Sequence, residues 1–267
     1  MTAAATTATP TTAALTWPGD WATDELWRLI WYGPAHQGWE FGSYAGPALI
    51  ERAIDELPLR AQDRVLHLGG DAGETCRYLA LRLGCPVRAM EPDPVRLGHA
   101  RRRIRALPAG TAAPIRIAGS SPEGTPGPPY DRVLALQPAR AGDDPATVLR
   151  LAGLALPPGG RLMLSEVVRR RPARPLGTAP AGLEARLRRA GFGGIRSVDI
   201  SDEAAYALRS AQLALIRRHR EVVRHIRPSG ADQLLALIRA AQDDLRNGRS
   251  GFWAISATRS SAEPGRA

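Results

Sequence analysis

The sequence contains no lysine, so all 36 of its basic residues are arginine. With 26 acidic residues, the formal net charge is +10, a sign that would suit a polyanionic partner. The arginines are spread along the chain, however, and they accompany a high content of alanine, glycine and proline. The composition therefore indicates a general arginine bias, and it argues against nucleic acid as the partner.

Cysteines and long apolar runs are also scarce. Cys76 and Cys85 are too few for a disulfide framework, and they match no paired metal-binding motif. No apolar run approaches the roughly 20 residues that cross a bilayer. The first arginine is Arg28, so the N-terminus lacks the basic start of a secretion signal. We expect a cytoplasmic protein with buried, reduced cysteines, no metal site and no membrane span.

The stretch 63–91 carries the most informative pattern in the chain. An apolar run is followed by a glycine-rich turn, a helical pattern and a second short apolar run that ends at Glu91. This order predicts a strand, a turn, a helix and a second strand. Glycines let a ligand approach the backbone closely, and a helix N-terminus offers N–H groups. An acid about 20 residues after the first glycine suits ribose hydroxyl groups, and Gly69 and Glu91 are 22 positions apart.

Strand and helix patterns alternate through the rest of the chain. Crossover helices are predicted over 94–107, with its arginines on a solvated face, and over 144–156. The further predicted strands are 114–118, 130–137, 161–168, 194–200 and 252–258. Two long helical patterns, 202–226 and 229–247, precede the last strand. We expect an α/β fold: a doubly wound, mostly parallel seven-stranded sheet of Rossmann-like type, with N-terminal helices and a helical lid inserted before the last strand.

These patterns divide the chain into six expected segments. They are a disordered tail (1–16), N-terminal aromatic helices and a loop (17–58), the Rossmann-like core (59–200), the helical lid (201–248), the last strand of the core (249–258) and a tail (259–267).

Five of the six tryptophans lie between positions 17 and 39, and the stretch 31–44 reads as an aromatic, glycine-rich loop. It has two interpretations: an aromatic stripe that clamps a helix on the core, or a lid over a ligand. His36 is our candidate general base, because an imidazole titrates near neutral pH. Tyr32 is the candidate for orienting a substrate. The alternatives are a structural histidine that bonds the loop backbone and a tyrosine packed in the core.

Five segments in order resemble motifs of the class I S-adenosylmethionine-dependent methyltransferases that act on small molecules. In chain order they are WYGPAHQGWEFG (31–42), VLHLGGDAG (65–73), YDRVLAL (130–136), LALPPGGRLMLSEVV (154–168) and RAGFGGIRSVDIS (189–201). The resemblance covers about residues 25–258. It implies transfer of a methyl group from S-adenosylmethionine to N, O or C of a small molecule, for example a biosynthetic intermediate.

The resemblance also implies a cofactor site. The matching positions are Gly69, Gly70, Asp71, Gly73, Glu91, Pro92, Ser120, Ser121, Leu136 and Gln137. In such a site the glycine turn lies beneath the methionine part, and Glu91 binds the ribose hydroxyls. Pro92 flanks the adenine, and the two serines contact its edge. The end of the fourth strand opens towards the sulfonium.

Two positions depart from the family pattern. His67 stands where relatives carry an acid that helps to hold the cofactor ammonium, and Asp71 replaces a small residue of the turn. Like charges about 4 Å apart cost about 4 kcal/mol at an effective dielectric constant of about 20. Either Asp71 turns away from the cofactor carboxylate, for example towards the ammonium, or the cofactor binds weakly or not at all. The second case describes a repurposed fold: an isomerase, a cyclase or a non-catalytic binder. A monomer and a homodimer both stay open.

Overall fold

A computed structural model describes residues 26, 28–36, 38–70, 72–108, 114–119, 129–136, 145–169 and 181–261. Within these ranges seven strands form one sheet, in the order β3-β2-β1-β4-β5-β7-β6. The strands are β1 (Val65–Leu68), β2 (Val87–Met90), β3 (Ile115–Ala118), β4 (Arg132–Leu136), β5 (Arg161–Arg169), β6 (Phe192–Asp199) and β7 (Ser250–Arg259).

The sheet is parallel except at its last strand. β1 pairs in parallel with β2 and β4, β2 with β3, and β4 with β5. β7 runs antiparallel to both β5 and β6. The mostly parallel, doubly wound sheet expected from the sequence is therefore confirmed. The strand order reverses direction between β1 and β4, which is where ligands bind in open sheets of this kind.

Nine α-helices surround the sheet in the described ranges, after a π-helical turn at Arg28–Tyr32. They are α1 (Gly33–His36), α2 (Gly46–Glu56), α3 (Glu74–Leu83), α4 (Pro94–Arg105), α5 (Pro145–Ala155), α6 (Ala181–Arg189), α7 (Ser201–Arg217), α8 (His219–His225) and α9 (Pro228–Arg246). α7 to α9 lie between β6 and β7, so the predicted helical insertion before the last strand is confirmed.

Two sequence expectations about helices need correction. Residues 33–36 were expected to be loop but form the short helix α1. Proline is compatible with the first turn of a helix, because no intrahelical bond needs its missing N–H there, and Pro34 lies in that turn. The single helix expected over 202–226 is divided at Arg218 into α7 and α8.

Two apolar cores cover the two faces of the sheet, because successive side chains of a strand point to opposite faces. Val65, Leu134 and Met163 belong to the core that includes α2, α3, α7 and α9. Leu66 and Val133 belong to the core formed with α5 and α6. The strands are therefore apolar on both faces, as buried parallel strands require.

Further expectations concern the cysteines, the membrane and the tails. Cys76 and Cys85 are buried, as expected. Burial raises the pKa of the Cys85 thiol to about 11, which keeps the thiol protonated and unreactive at neutral pH. No helix in the described ranges is long and apolar enough to cross a membrane. The expected N-terminal tail at 1–16 lies outside the described residues, and the division into six segments stays a prediction.

Candidate active site

The glycine-rich turn follows β1 at the carboxyl edge of the sheet. Gly69 and Gly73 have φ angles of +71° and +84°, a region that other residues adopt only at a cost. Gly70 is needed for a different reason, since a Cβ atom there would lie 2.9 Å from the Cβ of Ala89 in β2. Its N–H donates to the carbonyl of Met90 at 2.8 Å. Two glycines therefore permit the turn, and the third lets it lie directly against β2.

The turn leads into α3, and Gly73 is the N-cap residue of that helix. A Cβ atom on Gly73 would lie 3.0 Å from the Cβ of Ala100 in α4, so α4 packs closely on the turn. The backbone N–H groups that begin α3 therefore lie beside the turn, as in other sites that bind anionic or polar groups.

Glu91 lies immediately beyond β2, next to the turn. A Cβ on Gly70 would be 3.4 Å from the Cβ of Glu91, which makes the two direct neighbours. The glutamate is fully buried. Its Oε1 accepts from the N–H of Asp93 at 2.9 Å and lies 3.3 Å from the Arg96 guanidinium. The carboxylate is thereby fixed in orientation at the edge of the sheet.

Six of the ten predicted cofactor residues lie either in the turn or at the ends of adjoining strands. Gly69, Gly70 and Gly73 form the turn, and Glu91 and Pro92 follow β2. Leu136 ends β4, one position beyond the β1 pairing of Leu68 with Ala135, and it is buried. The remaining four, Asp71, Ser120, Ser121 and Gln137, lie outside the described residues, so their roles stay predictions.

His67, the first departure from the family pattern, lies inside β1 and is 1% exposed. It is in register with Ala89 of β2 and Leu134 of β4. Since side chains alternate along a strand, His67 lies on the same face as Val65, in the core that includes α3. Its position is therefore within the sheet, underneath the turn.

The aromatic segment, defined as Trp31–Tyr44, packs on the core. The His36 ring is 1% exposed and meets Trp31 edge to face, at 5.3 Å between centroids. A Cβ on Gly46 would overlap the imidazole, at 2.3 Å from one of its carbons, so the ring lies against the Gly46 backbone. Tyr32 is also buried in this core. Trp31 and Tyr32 thus pack on the core, as the clamp interpretation predicts, while the lid interpretation and the catalytic roles of His36 and Tyr32 stay predictions.

A cavity of about 370 Å³ separates the aromatic segment from the first turns of α7. Its lining consists of four alanines with His36, Tyr44, Pro47, Asp202, Glu203 and Tyr206. Arginine is absent from this lining among the described residues, although the chain has 36 arginines. The cavity therefore combines apolar and aromatic walls with two carboxylates.

The cavity lies at the same edge of the sheet as the glycine turn. α7 begins two residues after the carboxyl end of β6, and its Ser201 Oγ accepts from the N–H of Phe252 near the start of β7 at 2.9 Å. Because β7 is antiparallel, its first residues lie at the carboxyl edge of the other strands. Tyr44 meets Phe252 at 5.8 Å between ring centroids, and Phe41 meets Tyr78 of α3 at 5.6 Å. The aromatic segment thus extends along this edge from α3 to β7.

The solvated arginine face expected on α4 is wrong for Arg103, whose side chain is 14% exposed. Its Nε lies 3.3 Å from Glu74, and its other nitrogens contact Glu40 and the carbonyl oxygen of Ala72. The arginines of α4 look alike in the sequence, so no sequence signal distinguishes Arg103 from its neighbours.

Glu166 lies in β5 on the face of Leu162 and Leu164, opposite the core that borders the cavity. Burial raises the pKa of its carboxyl group to about 7, which a hydrogen bond from the Val167 N–H and the charge of Arg186 partly oppose. Glu166 is therefore a buried acid beside α6, and it does not line the cavity. In the part of the chain that the structure describes, no group of three or more His, Cys, Asp or Glu is placed to hold a metal ion.

No protein-family model matches the chain. A curated relative is the 27-O-demethylrifamycin SV methyltransferase of Amycolatopsis mediterranei (strain S699). The two are 29% identical over 243 residues, which cover 84% of this chain and 86% of the relative.

Solved structures share the fold at low sequence identity. The cyclopropane synthase MmaA2 of Mycobacterium tuberculosis has a TM-score of 0.75 at 18% identity, over 89% of this chain and 95% of that one. A Haemonchus contortus phosphoethanolamine N-methyltransferase, solved with phosphomonomethylethanolamine and S-adenosylhomocysteine, has a TM-score of 0.69 at 14% identity, over 83% of this chain. The chain spans about half of that protein (54%). The [4+2]-cyclase SpnF has a TM-score of 0.64 at 19% identity, over 80% of this chain and 82% of that one.

Proposed function

We propose that the chain is a class I S-adenosylmethionine-dependent methyltransferase, and that it transfers a methyl group from S-adenosylmethionine to a nitrogen, oxygen or carbon atom of a small molecule. The observation that carries the proposal is the glycine turn in direct contact with Glu91, at the edge where the strand order reverses. Such an edge is where open α/β sheets bind their ligands.

The residues of this edge fit the cofactor. Glu91 presents a carboxylate, fixed by Asp93 and Arg96, that suits two ribose hydroxyl groups. Gly69 and Gly73 hold a turn that leaves room for the methionine part. Leu136 offers an apolar surface at the end of β4. When bound, S-adenosylmethionine supplies a methyl group on a sulfonium, and the protein has to align an acceptor with that group and keep water out.

The cavity beside His36 is the proposed acceptor site. Its volume of about 370 Å³ lies at the lower end of the range of small-molecule pockets, about 300–1,000 Å³. The alanine and aromatic walls suit an apolar body. The carboxylates of Asp202 and Glu203, the latter 4.0 Å from the Arg52 guanidinium, disfavour an anionic acceptor, because like charges repel in a partly enclosed space. We propose His36, at the wall, as the base that takes a proton from an acceptor hydroxyl or amine, with Tyr32 supporting the segment that carries it.

Two further points stay predictions. A cytoplasmic location is expected from the sequence, and both a monomer and a homodimer are compatible with the site as described. The proposed chemistry needs a small-molecule acceptor, and it assigns no role to nucleic acid.

Methyl transfer itself tests the proposal. The protein is incubated with methyl-labelled S-adenosylmethionine and a panel of single-ring phenols, amines and carboxylic acids. We expect label in a phenol or an amine. Glu91→Gln should weaken cofactor binding about 10- to 100-fold, because it removes charge-assisted hydrogen bonds. The matched change Glu184→Gln, in α6, should leave transfer intact. Transfer that Glu91→Gln does not reduce would overturn the assignment of the site.

A further inference from the structure

We infer that Arg103 is a positioning residue that couples the cofactor turn to the wall of the acceptor cavity. The inference rests on the proposed function, because it takes the glycine turn as the donor site and the cavity beside His36 as the acceptor site. It adds a link between these two sites that runs through the Arg103 guanidinium group.

The three nitrogens of the Arg103 guanidinium contact three different structural elements. Nε lies 3.3 Å from the carboxylate of Glu74, the first residue of α3. One terminal nitrogen donates to the carbonyl oxygen of Ala72, inside the glycine turn. The other forms an ion pair with Glu40 of the aromatic segment. A planar guanidinium places its N–H donors on three separate nitrogens, whereas lysine has a single nitrogen, so lysine is a poor substitute.

Burial makes these contacts strong determinants of position. The side chains of Glu74, Arg103 and Glu40 are 2%, 14% and 16% exposed. Solvent screening is weak in such a place, so the pairs of Arg103 with Glu74 and Glu40 add to those that Glu74 forms with Arg77 and Glu40 forms with Arg28. The backbone of Arg103 is also held in place, because Ala100, one helical turn earlier in α4, packs against Gly73. The position of Arg103 therefore depends on the turn in two ways. Ala100 packs against Gly73, and the guanidinium donates to the carbonyl oxygen of Ala72.

Glu40 connects Arg103 to the wall of the cavity. It stands between Trp39 and Phe41, which meet Tyr78 of α3 at 4.7 and 5.6 Å between ring centroids. Phe41 in turn meets His36, at 6.3 Å. His36 and Tyr44, four residues to either side of Glu40, both line the cavity. A shift of Glu40 therefore moves the wall that faces the acceptor.

The consequence is reciprocal. If cofactor binding orders the glycine turn, Arg103 holds Glu40 more firmly and the cavity wall becomes more rigid. By linkage, an acceptor that orders the wall tightens cofactor binding by the same factor. A purely structural ion pair would stabilise the aromatic segment equally with and without the cofactor, so the dependence on cofactor separates the two roles.

The test is hydrogen exchange of the full chain with and without saturating S-adenosylhomocysteine, followed on peptides that cover residues 36–44. In the wild type the ligand should slow exchange there about fivefold or more. In Arg103→Lys and in Glu40→Gln the ligand should slow it less than about twofold, while calorimetry shows that both still bind it. Arg28→Gln is the matched control. Arg28 also pairs with Glu40, at 2.8 Å, but its side chain is 57% exposed and it contacts the aromatic segment rather than the turn.

Each outcome decides the matter. Cofactor-dependent protection that persists in both Arg103→Lys and Glu40→Gln would overturn the inference, as would equal loss in Arg28→Gln. The isosteric Glu40→Gln keeps the test valid if Arg103→Lys fails to fold. Wild-type protein that binds S-adenosylhomocysteine without protecting 36–44 would overturn this inference alone. Wild-type protein that does not bind it at all would overturn the proposed function as well.

Discussion

Replacing Gly73 by alanine isolates the contact that seats the cofactor turn on α4. Gly73 and Gly84 cap the two ends of α3, and both adopt left-handed φ angles, of +84° and +72°. They differ in their surroundings. A Cβ on Gly73 would lie 3.0 Å from the Cβ and 3.1 Å from the Cα of Ala100, whereas a Cβ on Gly84 would have nothing within 4 Å. Gly84→Ala is therefore the matched control for backbone strain.

The expected magnitudes follow from these distances. Alanine in the left-handed region costs about 1–2 kcal/mol, and the stiffer unfolded chain offsets about 0.4–1 kcal/mol of that cost. Gly84→Ala should thus lower the free energy of unfolding by about 1 kcal/mol. Gly73→Ala adds overpacking against α4, worth about 1–3 kcal/mol, for a total of about 2–4 kcal/mol. It should also displace the turn and weaken S-adenosylhomocysteine binding at least about tenfold, whereas Gly84→Ala should change that affinity less than about twofold.

Urea unfolding followed by circular dichroism gives the stabilities, and calorimetric titration gives the affinities. A second substitution tests the cause. In Gly73→Ala combined with Ala100→Gly, the removed methyl group makes room, so the double variant should regain part of the lost affinity. Equal losses of stability and affinity in Gly73→Ala and Gly84→Ala would refute the reasoning, because backbone strain alone would then explain both.

Two further predictions concern charge. Because burial raises the pKa of Glu166 from 4.5 to about 7, the folded chain binds this proton more tightly, so the contribution of Glu166 to stability is fully present below pH 4.5 and is lost as the pH rises through 7. Glu166→Gln should remove about 1–3 kcal/mol of that loss between pH 5 and pH 8, as measured by urea unfolding at the two pH values. The exposed-site change Asp55→Asn is the control. The prediction is contradicted if stability falls as much with pH in Glu166→Gln as in Asp55→Asn. In the transfer assay, Asp202→Asn combined with Glu203→Gln should improve carboxylic acid acceptors relative to neutral phenols by about 30-fold, from the removal of roughly 1 kcal/mol per like charge, or about 2 kcal/mol in all. An unchanged ratio would place the acceptor elsewhere.

The sheet and the donor side of the site were predictable because their signals are local. Alternating apolar runs and helical patterns indicated the strands and crossovers, and β1, the glycine turn and Glu91 lie within one stretch of 29 residues, 63–91. Each glycine had a physical reason that sequence reasoning can state, namely a left-handed φ or a close approach to β2. Local patterns of this kind survive folding because they are satisfied within one βαβ unit.

The acceptor side was not predictable in the same way, because its residues come from distant parts of the chain. His36 and Asp202 line one cavity although 166 positions separate them. Glu40, Glu74 and Arg103 likewise share no periodicity, and the arginines of α4 look alike in sequence. Only the packing of α4 on the turn distinguishes Arg103. The helix α1 was also missed, since Gly33 and Pro34 suggested a loop, whereas a proline is tolerated in a first helical turn.

The measurement that tests the central claim most directly is calorimetric titration of the purified wild-type chain with S-adenosylmethionine and with S-adenosylhomocysteine. With the turn and Glu91 placed as they are, both ligands should bind with dissociation constants in the micromolar range, about −8 kcal/mol. Absence of binding of either ligand up to about 1 mM would contradict the proposed methyltransferase activity. The repurposed fold would then become the better account, and His67 and Asp71 the residues to explain.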